Sequence, residues 1–278
     1  MTKKRVAIPD LNDYKEAGRK LAMITAYDYP TARIAAAAGA DMILVGDSLG
    51  NVVLGYESTA PVTLQQMVEH CRAVKRGADN CLVICDMPFG TYEVSREQAL
   101  QSAITLMKEG GADAVKLEGG SAFAPVIKTL SLAGIPVFGH IGLTPQTLSQ
   151  LGGHRVQGKT EESALSLLEA AQDLEEAGAV AVVLECITQE VAGKIDEALD
   201  IPTIGIGAGA GCSGQVLVFH DVVGLNDAFK PHFVKQYLQG AQLMKEAVAS
   251  FCQEVRSGAF PTLEYSFQME PEERKKID

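Results

Sequence analysis

From Leu21 onward, short apolar runs alternate with longer stretches whose apolar residues recur at helical spacing. The runs predict eight strands, at 21–27, 41–46, 81–86, 113–118, 136–140, 180–185, 202–206 and 215–219. Between them the pattern predicts helices at 30–38, 63–76, 95–109, 122–132, 160–177 and 188–199, and a long one at 231–256. Gly39, Gly77, Gly110, Gly111, Gly134 and Gly178 stand where helices should stop. Ser95 with Gln98 resembles a capping box, and Thr160 with Ser163 a weaker cap. A small residue, Gly, Ala and an apolar run recur in AAGADMILV, EGGADAVKL and EAGAVAVVL, as repeated helix-to-strand turns would.

Eight strands alternating with helices over about 250 residues is the arithmetic of an α/β fold of one kind, the single-domain (β/α)8 TIM barrel. A doubly wound open sheet is the alternative. Residues 1–20 are polar and predict a turn or helix outside the repeat. No linker-like shift in composition follows, so 1–260 reads as one barrel domain with an N-terminal extension. Residues 261–278 read as a charged tail, ending in EPEERKKID, with the composition of a disordered segment.

Composition narrows the partners. The chain has 278 residues, 47% hydrophobic and 21% charged, enough for a substantial core built mostly from Ala, Val, Leu and Ile, since Trp is absent. A formal net charge of −11 argues against nucleic-acid binding, which needs a basic surface. It leaves anionic substrates open, because a bound cation would reverse the local field. The N-terminus MTKKRVAIPDLNDYK lacks the apolar core of a signal peptide, and no run reaches the roughly 18 residues that span a bilayer. The six cysteines form no C-x-x-C pair and read as reduced, small hydrophobes. A cytoplasmic location is the expectation.

The candidate chemistry lies where strands end. VGDSLG, CDMPFG and KLEGG place Asp47, Asp86 and Glu118 after the second, third and fourth apolar runs, about one strand–helix unit apart. In a barrel, such groups project into one mouth. Carboxylates are costly to bury alone, and three oxygen donors without His or Cys between them favour a hard cation such as Mg²⁺. The plainer reading makes one or two of them helix caps or salt-bridge partners. Lys116 shares a strand face with Glu118, where it would hold an anionic substrate or merely neutralise that acid. Ser48 would donate to a substrate carboxylate or bond the turn backbone.

Glu185 ends VAVVLEC, a carboxyl in dry surroundings suited to a general base, or else a partner for a Lys or Arg. His140 ends the fifth strand, as a substrate contact or a satisfied structural residue. His70, His154, His220 and His232 fall on helices or loops and read as structural. Alternation turns Cys85 and Cys186 away from the acids, into the barrel wall. The glycine run IGIGAGAGCSGQ is a weak phosphate-loop signal, and loops 48–62 and 141–159 are long enough to serve as lids.

VGDSLG, CDMPFG, VKLEGG, GHIGLTPQ, RVQGK and IGIGAG followed by GQVLV, in this order, resemble the 3-methyl-2-oxobutanoate (ketopantoate) hydroxymethyltransferase family. The similarity runs from about Leu21 to Phe260. The resemblance implies a (β/α)8 barrel, Mg²⁺, and one-carbon transfer from 5,10-methylenetetrahydrofolate to 3-methyl-2-oxobutanoate (2-oxoisovalerate) through a Mg-stabilised enolate. That reaction gives 2-dehydropantoate, the first committed step towards pantothenate. It also implies a cytoplasmic homo-oligomer, commonly a homodecamer. Position by position, it implies Asp47, Asp86 and Glu118 as metal ligands, Asp47, Ser48, Asp86 and Lys116 as oxo-acid contacts, and Glu185 as proton acceptor. Two positions depart from the family pattern. Ser213 stands where an Asp usually precedes Gly-Gln, and His154 where an aromatic is expected.

Two rival readings are a Mg²⁺-dependent oxo-acid lyase or mutase of the phosphoenolpyruvate mutase/isocitrate lyase type and a non-catalytic metabolite-binding barrel. The Lys-Lys-Cys-Gly-His loop of the former group is absent from the chain.

Overall fold

A computed structural model describes residues 5–148, 153, 155–226 and 230–277. Eight parallel strands close into a barrel in sequential order. They are β1 Leu21–Thr25, β2 Met42–Val45, β3 Leu82–Asp86, β4 Ala114–Glu118, β5 Val137–Gly142, β6 Ala181–Glu185, β7 Thr203–Ile206 and β8 Gly214–Leu217. All eight predicted strands are present, and the open-sheet alternative is excluded by the β1–β8 pairing, Leu21 against Gly214 through Ile24 against Leu217.

Strand alternation sorts the core into two layers. Leu21, Met23, Met42, Leu44, Leu82, Ile84, Phe138, Val183, Ile204 and Val216 fill the barrel. Ile43, Val45, Val83, Cys85, Val115, Leu117, Val182 and Leu184 face the helices outside. Cys85 therefore packs in the wall, as alternation predicts.

The N-terminal extension is part of this architecture. Its helix Asp10–Glu16 places Leu11, together with Val6, against the inner layer and stoppers the strand-start end. Lys15 Nζ donates to the carbonyls of Asp196, Leu199 and Ile201 at 2.5, 2.6 and 2.9 Å, supplying partners to the end of the helix Gln189–Ala198.

Helices otherwise follow the pattern, with two differences. The predicted 95–109 helix is α-helical over Arg96–Thr105 and widens to a π-turn over Leu106–Gly110. The predicted 231–256 helix begins only at Gly240 and runs to Ser257. Residues ahead of it form turns tied to the element after β8, with Tyr237 N donating to Val222 O and Gly240 N to Val223 O. The segment expected to be disordered carries a helical turn, Pro271–Arg274, on the surface.

The glycine run joins β7 to β8, descending outside the barrel without a helix. A side chain at Gly209, where φ is +79°, would meet Gln189 Cβ at 2.4 Å, so close packing explains that glycine. Ser213 lies at the end of the barrel opposite the acids, where its Oγ and N bond Asp196 Oδ1 at 2.6 and 2.9 Å. Of the proposed lids, 48–62 is anchored by the fully buried Leu49. The other, 141–159, includes residues outside those described, as does His154. No helix among the described residues is long and apolar enough to cross a membrane.

Candidate active site

Parallel register decides which polar side chains meet at the strand-end mouth. Asp86 pairs with Lys116 across β3 and β4, Glu118 with His140 across β4 and β5, and Gly142 with Glu185 across β5 and β6. Asp47 and Ser48 follow β2 after Gly46, whose missing side chain leaves room beside Ser48 Oγ and Asp86 Oδ2. Asp47, Ser48, Asp86, Lys116, Glu118, His140 and Glu185 consequently line one cavity of about 130 Å³.

On its wall, Lys116 Nζ lies 3.2 Å from Asp86 Oδ1, 3.9 Å from Glu118 Oε1 and 3.1 Å from His140 Nδ1. Burial opposes its charge, but Asp86, Glu118 and Asp47 together outweigh that and raise the pKa of the ammonium. Burial, reinforced by Asp86 and Glu118, pushes Asp47 up to about 8. Asp86 is also raised, chiefly by burial, against the pull of Lys116. Glu118 goes the other way. Burial would raise it, yet His140, Lys116 and the backbone N–H of Gln146 hold it below its usual range.

The three acids are not equivalent. Glu118 is engaged by His140 Nδ1 at 3.5 Å and by Gln146 N, which donates to Oε2 at 3.0 Å. Asp47 accepts from Gln146 Nε2 on Oδ2 at 2.8 Å, and its N–H donates to Asp86 Oδ2 at 3.0 Å. Asp86 Oδ1 is buried without a hydrogen bond. Among the described residues, no three His, Cys, Asp or Glu side chains already surround a common point as a metal-binding set. Asp47 and Asp86 fit a hard divalent cation, because such ions take one or two carboxylates and complete their shell with water or substrate oxygens.

His140 is fully enclosed. Nε2 lies 3.2 Å from Glu185 Oε2. Burial and Lys116 oppose a charged imidazole, while Glu118 and Glu185 prevail and raise its pKa to about 9. Glu185 itself keeps 16% of its side chain exposed and borders a second, larger chamber of about 820 Å³. That chamber opens above the small cavity and shares Ser48, Glu185, Ile206 and Val218 with it.

Cys186 differs from expectation. Its φ of +48° breaks the alternation, so its side chain lines the chamber instead of the wall. Burial and the neighbouring Glu185 push its thiol up to about 12, leaving it protonated at neutral pH. His220 and His232, read from sequence as structural, also border the chamber, whereas His70 bonds the Tyr27 carbonyl at 2.5 Å. Sequence reasoning missed Tyr27, whose hydroxyl bonds Ser48 Oγ at 2.9 Å. It also missed Gln146 and Tyr92, uncharged loop residues that reach the acids. The GLTPQ segment was the available signal for Gln146.

A barrel whose strand ends converge acids, a lysine and a histidine on a lined cavity belongs to the (β/α)8-barrel enzymes. Residues 5–263 match the model of the ketopantoate hydroxymethyltransferase family, and the chain belongs to that family. It is 54% identical over 269 residues to 3-methyl-2-oxobutanoate hydroxymethyltransferase of Heliobacterium modesticaldum, covering 97% of this chain and 98% of that one. It is 54% identical over 258 residues to an enzyme of that name from Thermus thermophilus, covering 92% and 98%. Among solved structures, it resembles a phosphonopyruvate hydrolase complex with oxalate and Mg²⁺, with TM-score 0.60, 14% identity and 97% and 96% coverage. It also resembles phosphoenolpyruvate phosphomutase from Streptomyces platensis, with TM-score 0.60, 16% identity and 91% and 88% coverage. Likeness at that identity concerns the barrel alone.

Proposed function

We propose that the chain transfers a one-carbon unit from 5,10-methylenetetrahydrofolate to 3-methyl-2-oxobutanoate, giving 2-dehydropantoate on the route to pantothenate. The supporting observation is one small cavity that joins Asp47 and Asp86, a buried ammonium and Glu185, beneath a chamber wide enough for a second reactant. Asp47 and Asp86 would hold Mg²⁺, with Glu118, whose oxygens are engaged by His140 and Gln146, standing beside them. A bound Mg²⁺ supplies Lewis-acid polarisation of the oxo acid's carbonyl, which acidifies the proton at C3.

The chain's own groups do the rest. Lys116 and Ser48 fix the substrate carboxylate, the ammonium by charge and the hydroxyl by a donated hydrogen bond. His140 holds Glu185 through Nε2 and Glu118 through Nδ1. Glu185 takes the C3 proton, and the electron pair left on C3 forms the bond to the methylene carbon as one of its two C–N bonds to the folate breaks. Water then replaces the second folate nitrogen on that carbon, leaving a hydroxymethyl group and releasing tetrahydrofolate with a proton on each freed nitrogen. The folate ring occupies the large chamber, where closure over the small cavity excludes water from the proton transfer. Self-association and a cytoplasmic location complete the reading, the former supported by the exposed apolar residues of the helix Gly240–Ser257.

Following 3-methyl-2-oxobutanoate consumption with and without methylenetetrahydrofolate, and with and without Mg²⁺, tests this function. Loss of the oxo acid only when both are present is the expected result. Consumption without the folate would favour a lyase or mutase instead, and binding without any turnover a non-catalytic barrel.

A further inference from the structure

Gln146 is a neutral, buried residue that bonds two of the three acids, Asp47 through its side chain and Glu118 through its backbone. Its Nε2 donates to Asp47 Oδ2 at 2.8 Å and to Met87 O at 3.0 Å, while its backbone N–H donates to Glu118 Oε2 at 3.0 Å. Tyr92 closes the arrangement. Its hydroxyl donates to Gln146 Oε1 at 2.5 Å and accepts from Glu118 N at 3.3 Å.

These bonds run in one direction only. Reversing the Gln146 amide would set its oxygen against the Met87 carbonyl, an acceptor that offers no proton. The amide oxygen must therefore face Tyr92, and the phenol must spend its proton there. That leaves the Tyr92 oxygen as acceptor for Glu118 N–H. The path leaves the backbone of Glu118, crosses Tyr92 and Gln146, and returns to the carboxylate of Glu118. On the way it pins Asp47. Every donor and acceptor of the Gln146 amide is used, as burial demands.

From this geometry we infer that Gln146 and Tyr92 are positioning residues for the divalent cation. The circuit holds Asp47 by Oδ2, so that Oδ1 is free for the ion, and fixes Glu118 at a set distance from it. The inference rests on the reading of Asp47 and Asp86 as cation ligands. Tyr92 acts through the amide: its hydroxyl anchors the Gln146 oxygen that the Met87 carbonyl turns towards it. Its ring packs edge-on against Phe123 with centroids 5.3 Å apart, so the phenol oxygen can be removed without removing the packing.

The test uses metal-stripped full-length protein and Mn²⁺ as a paramagnetic probe, titrated by electron paramagnetic resonance without substrate. Tyr92→Phe and Gln146→Met preserve volume, and circular dichroism reports whether each folds. The expected result is that each weakens Mn²⁺ binding by about 10–100-fold, the range found when groups behind metal ligands are altered. The double variant should lose no more than the worse single, because both changes open the same circuit. Wild-type affinity in the folded variants, or losses that multiply in the double, would overturn the inference. Should Gln146→Met fail to fold, Tyr92→Phe decides alone. Absence of Mn²⁺ binding by the parent chain would instead overturn the cation reading, and this inference with it.

Discussion

Glu185 Oε2 and His140 Nε2 stand 3.2 Å apart, and the opposite edge of the same imidazole faces Lys116 and Glu118. One ring thus links the proposed base to the groups that would grip the substrate. The proposed proton transfer and the substrate grip meet at this histidine, which the sequence offered only as a substrate contact or structural residue.

Glu185→Gln should keep the ternary complex and lose turnover. The amide fills the same space and still reaches His140, but it cannot accept the C3 proton. Bases in this role contribute about 10²–10⁴ in rate. Single-turnover kinetics on the variant, with binding of the oxo acid measured separately, checks the split. Turnover within a few-fold of the parent would remove Glu185 from the role.

Asp113 supplies a pH prediction away from the site. Lys75 Nζ lies 2.6 Å from each of its carboxylate oxygens, Arg5 is 2.5 Å from Oδ2, and Val83 N–H donates to Oδ2 at 2.9 Å. Partial burial would raise its pKa, but these donors prevail and hold it below the usual carboxylate range. A depressed pKa contributes stability above the unfolded value of about 4 and loses it as the pH falls through the folded one. Asp113→Asn should therefore cost ~1 kcal/mol at neutral pH, a figure reduced for solvent screening. The gap between parent and variant in urea melts should close below about pH 4. A gap that persists unchanged into acid would mean that the ion pairs contribute nothing.

Met244, Val248, Phe251 and Val255 stand at helical spacing on Gly240–Ser257, each about half exposed or more. An apolar stripe on a surface helix signals a partner. Under self-association, Val248→Glu should shift the protein to smaller species in size-exclusion chromatography with light scattering. An unchanged mass for the variant would place the subunit contacts elsewhere.

Much of the barrel was readable because strands buried on both faces leave unbroken apolar runs, and their polar terminations stand out against them. Lys116 and Glu118, two residues apart, were legible as neighbours for the same reason. Alternation failed where the strand stopped. At Cys186 a left-handed residue turned the side chain into the chamber. Tyr92 was illegible because loop positions carry no period and the residue is uncharged, and Gln146 had only the GLTPQ segment to mark it. The helix start at Gly240 was obscured by apolar residues at 231–239, whose turns pack on the segment after β8.

The claim on which the mechanism stands is that a cation on Asp47 and Asp86 anchors the oxo acid. Calorimetric titration of 3-methyl-2-oxobutanoate into the parent and into Asp86→Ala, each with and without Mg²⁺, tests it most directly. The account predicts tight binding only in the parent with Mg²⁺, and weak binding in the other three cases. Oxo-acid affinity in Asp86→Ala equal to that of the Mg²⁺-loaded parent would contradict it.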